Sequence, residues 1–334
     1  MSAVSAAGKS VLTKVPTDAL PSFAQILDAA ARIAPHARVT PVLRSDSLDA
    51  LCGAQLHFKC ENLQRGGAFK FRGACNAVWA LSDEQVARGV VTHSSGNHGN
   101  ALAMSAATRG IAAHVVVPQG AVRAKVEAIE QAGAILHRCA PTQAAREAMV
   151  IEVQRATGAV LVHPYADTQV MAGQGTVALE LLQQVAGLDA LITPVGGGGL
   201  ASGVAIAAHA IDPSLSLFGA EPQGADDAAQ SIEHGARVTT VVPDTVCDGL
   251  RALIGQTNLD ALRAHQVQVI TVDDAETIAA MQLLWSELRI IVEVSCATVL
   301  AAMLQQPARF AGRRIGVVLT GGNVDLQSLP WSAG

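Results

Sequence analysis

Eight short apolar runs, at residues 55–60, 89–93, 112–117, 134–137, 190–195, 215–221, 267–272 and 314–319, constrain what this chain can fold into more than any other feature. Several are continuous Val, Ile and Leu rather than alternating with polar residues, the pattern of parallel strands buried on both faces. Between them, residues 99–109, 123–132, 143–157, 175–185 and 275–288 place apolar side chains at helical spacing. The alternation predicts an α/β protein with doubly wound sheets. Residues 87–159 hold four strand–helix units, enough for a small domain, and residues 1–86 and 160–334 would then build one larger, discontinuous domain. Pro243, Asp244 and Thr245 mark a surface loop within the larger part.

Composition narrows the class. The 334 residues are 50% hydrophobic and 15% charged, which gives ample core and argues against disorder. The net charge of −5 is spread along the chain without a basic stripe, so nucleic acid is not expected as a partner. The longest apolar stretch, 200–211, contains Ser202 and His209 and falls short of the roughly 20 residues of a membrane span. Residues 1–14 lack the apolar centre of a signal peptide and read as a loose tail. Cys52, Cys60, Cys75, Cys139, Cys247 and Cys296 form no Cys-x-x-Cys pair and read as reduced core residues of a cytoplasmic protein.

Four loops carry the chemistry. Lys70, in Phe69-Lys70-Phe71-Arg72-Gly73, follows two glycines and precedes a helix-compatible run at 74–81. The partial positive charge of a helix start lowers the pKa of an ammonium there, which suits Schiff-base chemistry. An ordinary surface lysine beside a loop is the commoner reading of that local context. Ser94-Ser95-Gly96-Asn97-His98-Gly99-Asn100 lies between a strand and a helix, where small residues let backbone N–H groups converge on an anion. Helix capping alone does not require two serines, an asparagine and two glycines. Gly196, Gly197, Gly198 and Gly199, followed by Leu200, can wrap a phosphate at a helix N-terminus. They also satisfy a relaxed dinucleotide fingerprint with Glu221 as the ribose acid, so a nicotinamide enzyme competes at this point. That fingerprint usually opens the first βαβ unit, and here it comes late. Thr320-Gly321-Gly322-Asn323 is a fourth loop of this kind; alone it would be a tight turn.

Together these motifs, in this order and spacing, resemble the fold-type II pyridoxal-phosphate enzymes, whose architecture is tryptophan synthase β-like. Val116-Val117-Pro118, residues 172–176 and Ala220-Glu221-Pro222 agree with it, and the resemblance runs from about residue 40 to 326. It is closest to the serine racemases and the serine, threonine and L-threo-3-hydroxyaspartate dehydratases. The resemblance implies that Lys70 holds pyridoxal 5'-phosphate as an imine and later takes the α-proton on one face. It places Phe69 near the ring, Asn97 on its 3-hydroxyl, Gly196 to Gly199 with Leu200 on the phosphate, and Thr320 on the pyridine nitrogen. Ser94, Ser95, Gly96, Asn97 and His98 would hold the substrate carboxylate, and Ser95 would serve the opposite face. The reaction implied is α,β-elimination from a β-hydroxy amino acid, giving a 2-oxo acid and ammonia. Racemisation of serine or aspartate ranks second, because a serine hydroxyl is a poor base unless activated. A cofactor-holding protein without turnover is the alternative outside catalysis.

The resemblance also implies a divalent-cation site at Glu221, Ala225 and Asp227, suited to Mg²⁺ or Ca²⁺. Without it, a solvated acidic loop is the plainer reading. Arg146 matches an arginine that would contact a substrate carboxylate, including the distal one of hydroxyaspartate; a surface charge is the alternative. His93, His98 and His163 read as packed structural histidines rather than acids or bases. Val294, Ser295 and Cys296 depart from the family's Pro, small residue and Gly, and Tyr165 stands where relatives often carry Asn or Phe. A homodimer is expected from the family alone.

Overall fold

A computed structural model describes residues 19–331, so the expected N-terminal tail lies outside the described residues. The fold has two sheets. In the larger, β1 (Val42–Leu43), β2 (Gln55–Cys60), β10 (Arg314–Leu319), β7 (Ala190–Pro194), β8 (Ser216–Pro222) and β9 (Gln268–Val272) lie side by side in the order β1-β2-β10-β7-β8-β9. Only β1 runs antiparallel to its neighbour. The smaller sheet is parallel, in the order β5-β4-β3-β6, from β3 (Val90–His93), β4 (Ala113–Pro118), β5 (Ile135–Cys139) and β6 (Val160–Leu161). All eight expected strands form, with ends shifted by two residues at most. The two that sequence periodicity misses, β1 and β6, have two residues each and so no period to read.

Both faces of the larger sheet are covered, as continuous apolar strands require. Leu56, Phe58, Ile192, Ile315 and Val317 pack toward the helices Asp274–Leu288 and Val294–Gln305. Leu191, Leu217 and Val318 pack on the other side, toward the helices Thr168–Gln184 and Gly199–Ile211. The first of these begins seven residues before the expected start at 175. Gly173 and Gly175 serve close helix contact. A Cβ on Gly173 would lie 2.6 Å from the backbone of Gly73, and one on Gly175 would lie 2.8 Å from Gly203 O. The helix is started by Asp167, whose carboxylate accepts from the N–H groups of Gln169 and Val170.

One buried charge cluster fixes the segment after β2. The Arg72 guanidinium grips Glu61 with two bonds of 2.7 Å and Glu180 with bonds of 3.1 and 3.0 Å. Lys59 donates to Glu180, to Thr40 O and to Gln184. Arg72, Glu61 and Lys59 are at most 2% exposed, so water compensates none of them. Two cations meet two carboxylates with their donors spent, which makes the burial tolerable. The cluster ties the helix Lys70–Trp79 to β2 and to the helix Thr168–Gln184. Removing one partner leaves a buried charge alone. Arg72→Ala is therefore expected to lower the unfolding free energy by about 3–5 kcal/mol, measured as a shift in denaturant midpoint.

Candidate active site

The Thr320 loop is laced to the loop that carries Lys70, the glycine run is reached through Pro164 and Tyr165, and His98 of the Ser94–Asn100 turn lies near enough to feel the Lys70 charge. The loop after β2 and the loop after β10 are laced together: Phe69 N–H donates to Thr320 O at 3.0 Å, Gly322 N–H to Gly67 O at 2.9 Å, and Ala68 bridges Gly321. Lys70 is the first residue of its helix. Its Nζ donates to Pro164 O at 3.0 Å and lies 5.1 Å from the centre of the Phe69 ring. The side chain keeps partial access to the cleft, yet burial pushes the amine down to about 8. The direction is the one expected, but the leading cause is desolvation rather than the helix start, and Glu293 opposes it. The plain surface-lysine reading fails for the same reason.

Pro164 leads into Tyr165, which closes on the glycine run. A Cβ on Gly197 would lie 2.4 Å from the Tyr165 ring, so only glycine fits beneath it. Gly198 adopts a φ of +87°, open to glycine at little cost, and the helix Gly199–Ile211 starts immediately after. Its first N–H groups have no partner within the helix and face the loop. This is an anion cradle at a helix N-terminus.

The smaller sheet supplies the opposite wall. Ser94, Ser95 and Gly96 are half-buried between β3 and the helix Asn97–Arg109. Ser94 Oγ accepts from Gly96 N–H at 3.3 Å. Among the described residues no hydrogen bond is found for the Ser95 hydroxyl, so nothing there activates it as a base. Asn97 Nδ2 donates to both oxygens of Glu293, at 2.9 and 3.1 Å, and Asn97 Oδ1 accepts from Asn323 at 3.0 Å. Lys125, on the helix Arg123–Gln131, pairs with Asp248 and so links the two halves of the molecule.

His98 is buried, and His93 and His163 are half-buried. His163 Nδ1 accepts from the N–H groups of Tyr165 and Ala166, and burial takes its pKa down to about 3. Burial also lowers His93 and, further, His98, whose Nε2 donates to Val162 O. All three are therefore uncharged near neutral pH. Arg146 sits close enough to His93 to lower that pKa further, and its Nε is buried without a partner. It is neither a free surface charge nor a satisfied structural one. Thr320 is 5% exposed, and its hydroxyl meets the Cys296 thiol, which burial pushes up to about 12 and so leaves unreactive.

Glu221 and Asp227 lie apart from this cleft and are 0% and 2% exposed, which overturns the solvated-loop reading. Glu221 accepts from the N–H groups of Ala228 and Ala229, and Asp227 from Ile254 N–H at 2.7 Å. Burial raises Glu221 well above the usual carboxylate range and Asp227 to about 6. Glu221 lies in the interior and accepts from the start of the helix Asp227–His234, so nothing presents it as a ribose acid, and the nicotinamide alternative loses its support. The residue that sequence reasoning missed is Glu293, which stands just before Val294. A lone acid inside Ile290-Ile291-Val292-Glu293-Val294 is itself the signal of a buried carboxyl with a partner.

This site, a half-buried lysine that shares the larger sheet with a glycine run at a helix start, with the Ser94–Asn97 turn of the smaller sheet opposite, is that of a fold-type II α/β enzyme of pyridoxal-phosphate type. Residues 33–321 match the family model for pyridoxal-phosphate dependent enzymes, and the chain belongs to that family. It is 46% identical over 313 residues to a β-hydroxyaspartate dehydratase of Paracoccus denitrificans, covering 94% of this chain and 99% of that one. It is 48% identical over 309 residues to a serine racemase of Arabidopsis thaliana, covering 91% and 93%. The solved structure of maize serine racemase superposes with a TM-score of 0.91 at 46% identity, covering 92% of this chain and 95% of that one.

A lysine amine lowered to about 8 is free above that pH, whereas ordinary lysines need about 10.4. Borohydride trapping of pyridoxal phosphate on cofactor-free protein, followed by peptide mapping, is expected to label Lys70 half-maximally near pH 8 and other lysines only at higher pH.

Proposed function

We propose that this chain is a pyridoxal-phosphate-dependent ammonia-lyase that eliminates water from β-hydroxy amino acids, giving a 2-oxo acid and ammonia. The observation that carries the reading is Lys70: a desolvated amine at the mouth of a cleft, within one short connection of a glycine cradle that a Cβ would fill. These residues fit the cofactor. Gly196 to Gly199 with Leu200 would hold its phosphate, Phe69 and Asn97 its ring and 3-hydroxyl, and Thr320 its pyridine nitrogen. When bound, the cofactor supplies an electron sink for the bond broken at the substrate Cα.

The chain's own groups do the rest. Ser94 and Ser95, with the backbone N–H groups of Gly96, Asn97 and His98, bind the substrate carboxylate at a helix N-terminus. Lys70, lowered toward neutrality, takes the α-proton from one face. The neutral Thr320 hydroxyl gives the pyridine nitrogen no full charge, which favours expulsion of the β-hydroxyl over a long-lived carbanion. Arg146, with its orphaned Nε, favours a substrate that carries a second carboxylate, such as L-threo-3-hydroxyaspartate. Ser95 on the opposite face gives the second reading, racemisation, and its lack of an activating partner keeps that reading second.

The cation reading rests on Glu221 and Asp227, two buried carboxylates that no lysine or arginine is seen to bond. Among the described residues no three His, Cys, Asp or Glu side chains form a metal cluster, so Ala225 O and water would complete the shell. Asp227 holds Ile254, whose side chain packs within 3.1 Å of a Cβ position on Gly198. A bound Mg²⁺ or Ca²⁺ would thus brace the phosphate loop from behind. Residues 87–159 are read as a mobile small domain that closes on substrate. A cytoplasmic homodimer completes the reading, supported by six unpaired buried cysteines for the compartment and by family likeness for the dimer. No helix among the described residues is long and apolar enough to cross a membrane.

The wild type is expected to show a visible cofactor band and to make keto acid from L-serine, L-threonine or L-threo-3-hydroxyaspartate, with Lys70→Ala losing both. A chain without that band after incubation with pyridoxal phosphate would sink the proposal. Arg146→Ala should raise KM for 3-hydroxyaspartate by about tenfold to a hundredfold and leave that for L-serine near its wild-type value. Ser95→Ala should abolish D-serine formation while keto-acid formation persists. Mg²⁺ should raise the Tm of wild type but not of Asp227→Asn.

A further inference from the structure

Glu293 is a buried carboxyl in the cleft for which the elimination chemistry has no use. It occupies the N-cap position of the helix Val294–Gln305, where an acidic side chain ordinarily accepts from the first N–H groups of its own helix. It makes no such bond. Its carboxylate turns away instead, toward Asn97, 196 positions distant in sequence. Gly321 makes room for it: a Cβ there would lie 2.4 Å from Glu293 Oε1.

The amide of Asn97 is thereby fixed at both ends. Its oxygen accepts from Asn323 Nδ2, whose other bond goes to Gly66 O at 2.7 Å. Its nitrogen faces Glu293. An NH₂ group directs its two hydrogens about 120° apart, so one carboxylate takes one of them. The flipped amide would set Asn97's oxygen against a carboxylate and its nitrogen against another amide nitrogen, and is excluded.

We propose that Glu293 is the positioning residue for Asn97, claiming one N–H of the amide so that the other is left for the 3-hydroxyl of the bound cofactor. The inference rests on the reading of the cleft as a pyridoxal-phosphate site and adds to it a residue that acts through Asn97. The ionised carboxylate offers both of its oxygens to Asn97 Nδ2; a protonated one has lost an acceptor. Burial raises Glu293 to about 7, so this hold strengthens as pH rises through neutrality. The charged and titratable groups facing Glu293 are Lys70 across the cleft, Asp248 and Lys125 at its mouth, and Cys296 one turn on.

The test is the dissociation constant of pyridoxal phosphate, measured by reconstituting cofactor-free protein and following visible absorbance. E293Q has one acceptor where two are needed and should bind about tenfold more weakly. In an N97A background the same change should add less than about twofold, because its effect runs through Asn97. Wild-type affinity should fall as pH drops through about 7, and E293Q should lack that step. E293D keeps the charge but shortens the reach to Asn97; it should weaken binding in the same direction and carries the test if E293Q folds poorly by circular dichroism. Unchanged affinity in both variants, or equal losses with and without Asn97, would overturn the role of Glu293 while leaving the cofactor site standing. Failure of the wild type itself to take up the cofactor would overturn both.

Discussion

The structure depends on a cluster of four charges that has almost no access to water. Arg72, Glu61, Glu180 and Lys59 join β2, the turn after it, the helix Lys70–Trp79 and the helix Thr168–Gln184 at one point. Fixing long charged side chains in the interior is costly, and the gain is geometric rather than energetic. Arg72 lies two residues after Lys70 on the same helix. Holding the guanidinium from three sides holds the start of that helix, and with it the reactive amine. The small residues nearby serve the same end: Gly73, Gly173, Gly175 and Gly203 let three helices approach until their backbones touch.

Within the cleft so formed, desolvation is the common cause of every unusual protonation state. It brings Lys70 down to about 8 and takes Glu293 up to about 7, so the two titrate far closer together than they would in water. It also holds His93, His98 and His163 uncharged, which keeps positive charge from gathering around the lysine. A neutral amine is a nucleophile toward a carbonyl and a base toward a carbon acid. The same low-dielectric setting that makes it available also strengthens each hydrogen bond to a bound anion.

The groups proposed for catalysis are divided between the sheets. The lysine, the glycine cradle and the Thr320 loop belong to the larger one; the Ser94–Asn97 turn and Arg146 belong to the smaller. Contact between the halves at the cleft is polar, through Asn97 with Glu293 and Asn323 and through Lys125 with Asp248. Behind those bonds the halves share an apolar core, in which Phe71, Ala74 and Val78 pack with Val90, Leu102 and Ala106.

Much of this was legible in the chain. Continuous Val and Ile runs marked the buried parallel strands, since burial on both faces leaves no room for polar alternation. Glycines and hydroxyl residues at strand ends marked the loops that meet a ligand, because only small residues let the backbone do the binding. The sequence by itself therefore determined the α/β architecture, the family and the lysine. Tertiary structure alone decided why that lysine is reactive, since desolvation depends on what packs around it and not on its neighbours in sequence. It alone paired Arg72 with Glu180 and Asn97 with Glu293, more than a hundred residues apart in each case. It also turned Glu293 from a helix cap into a part of the site, because the space for its carboxylate is made by a glycine on another strand's loop.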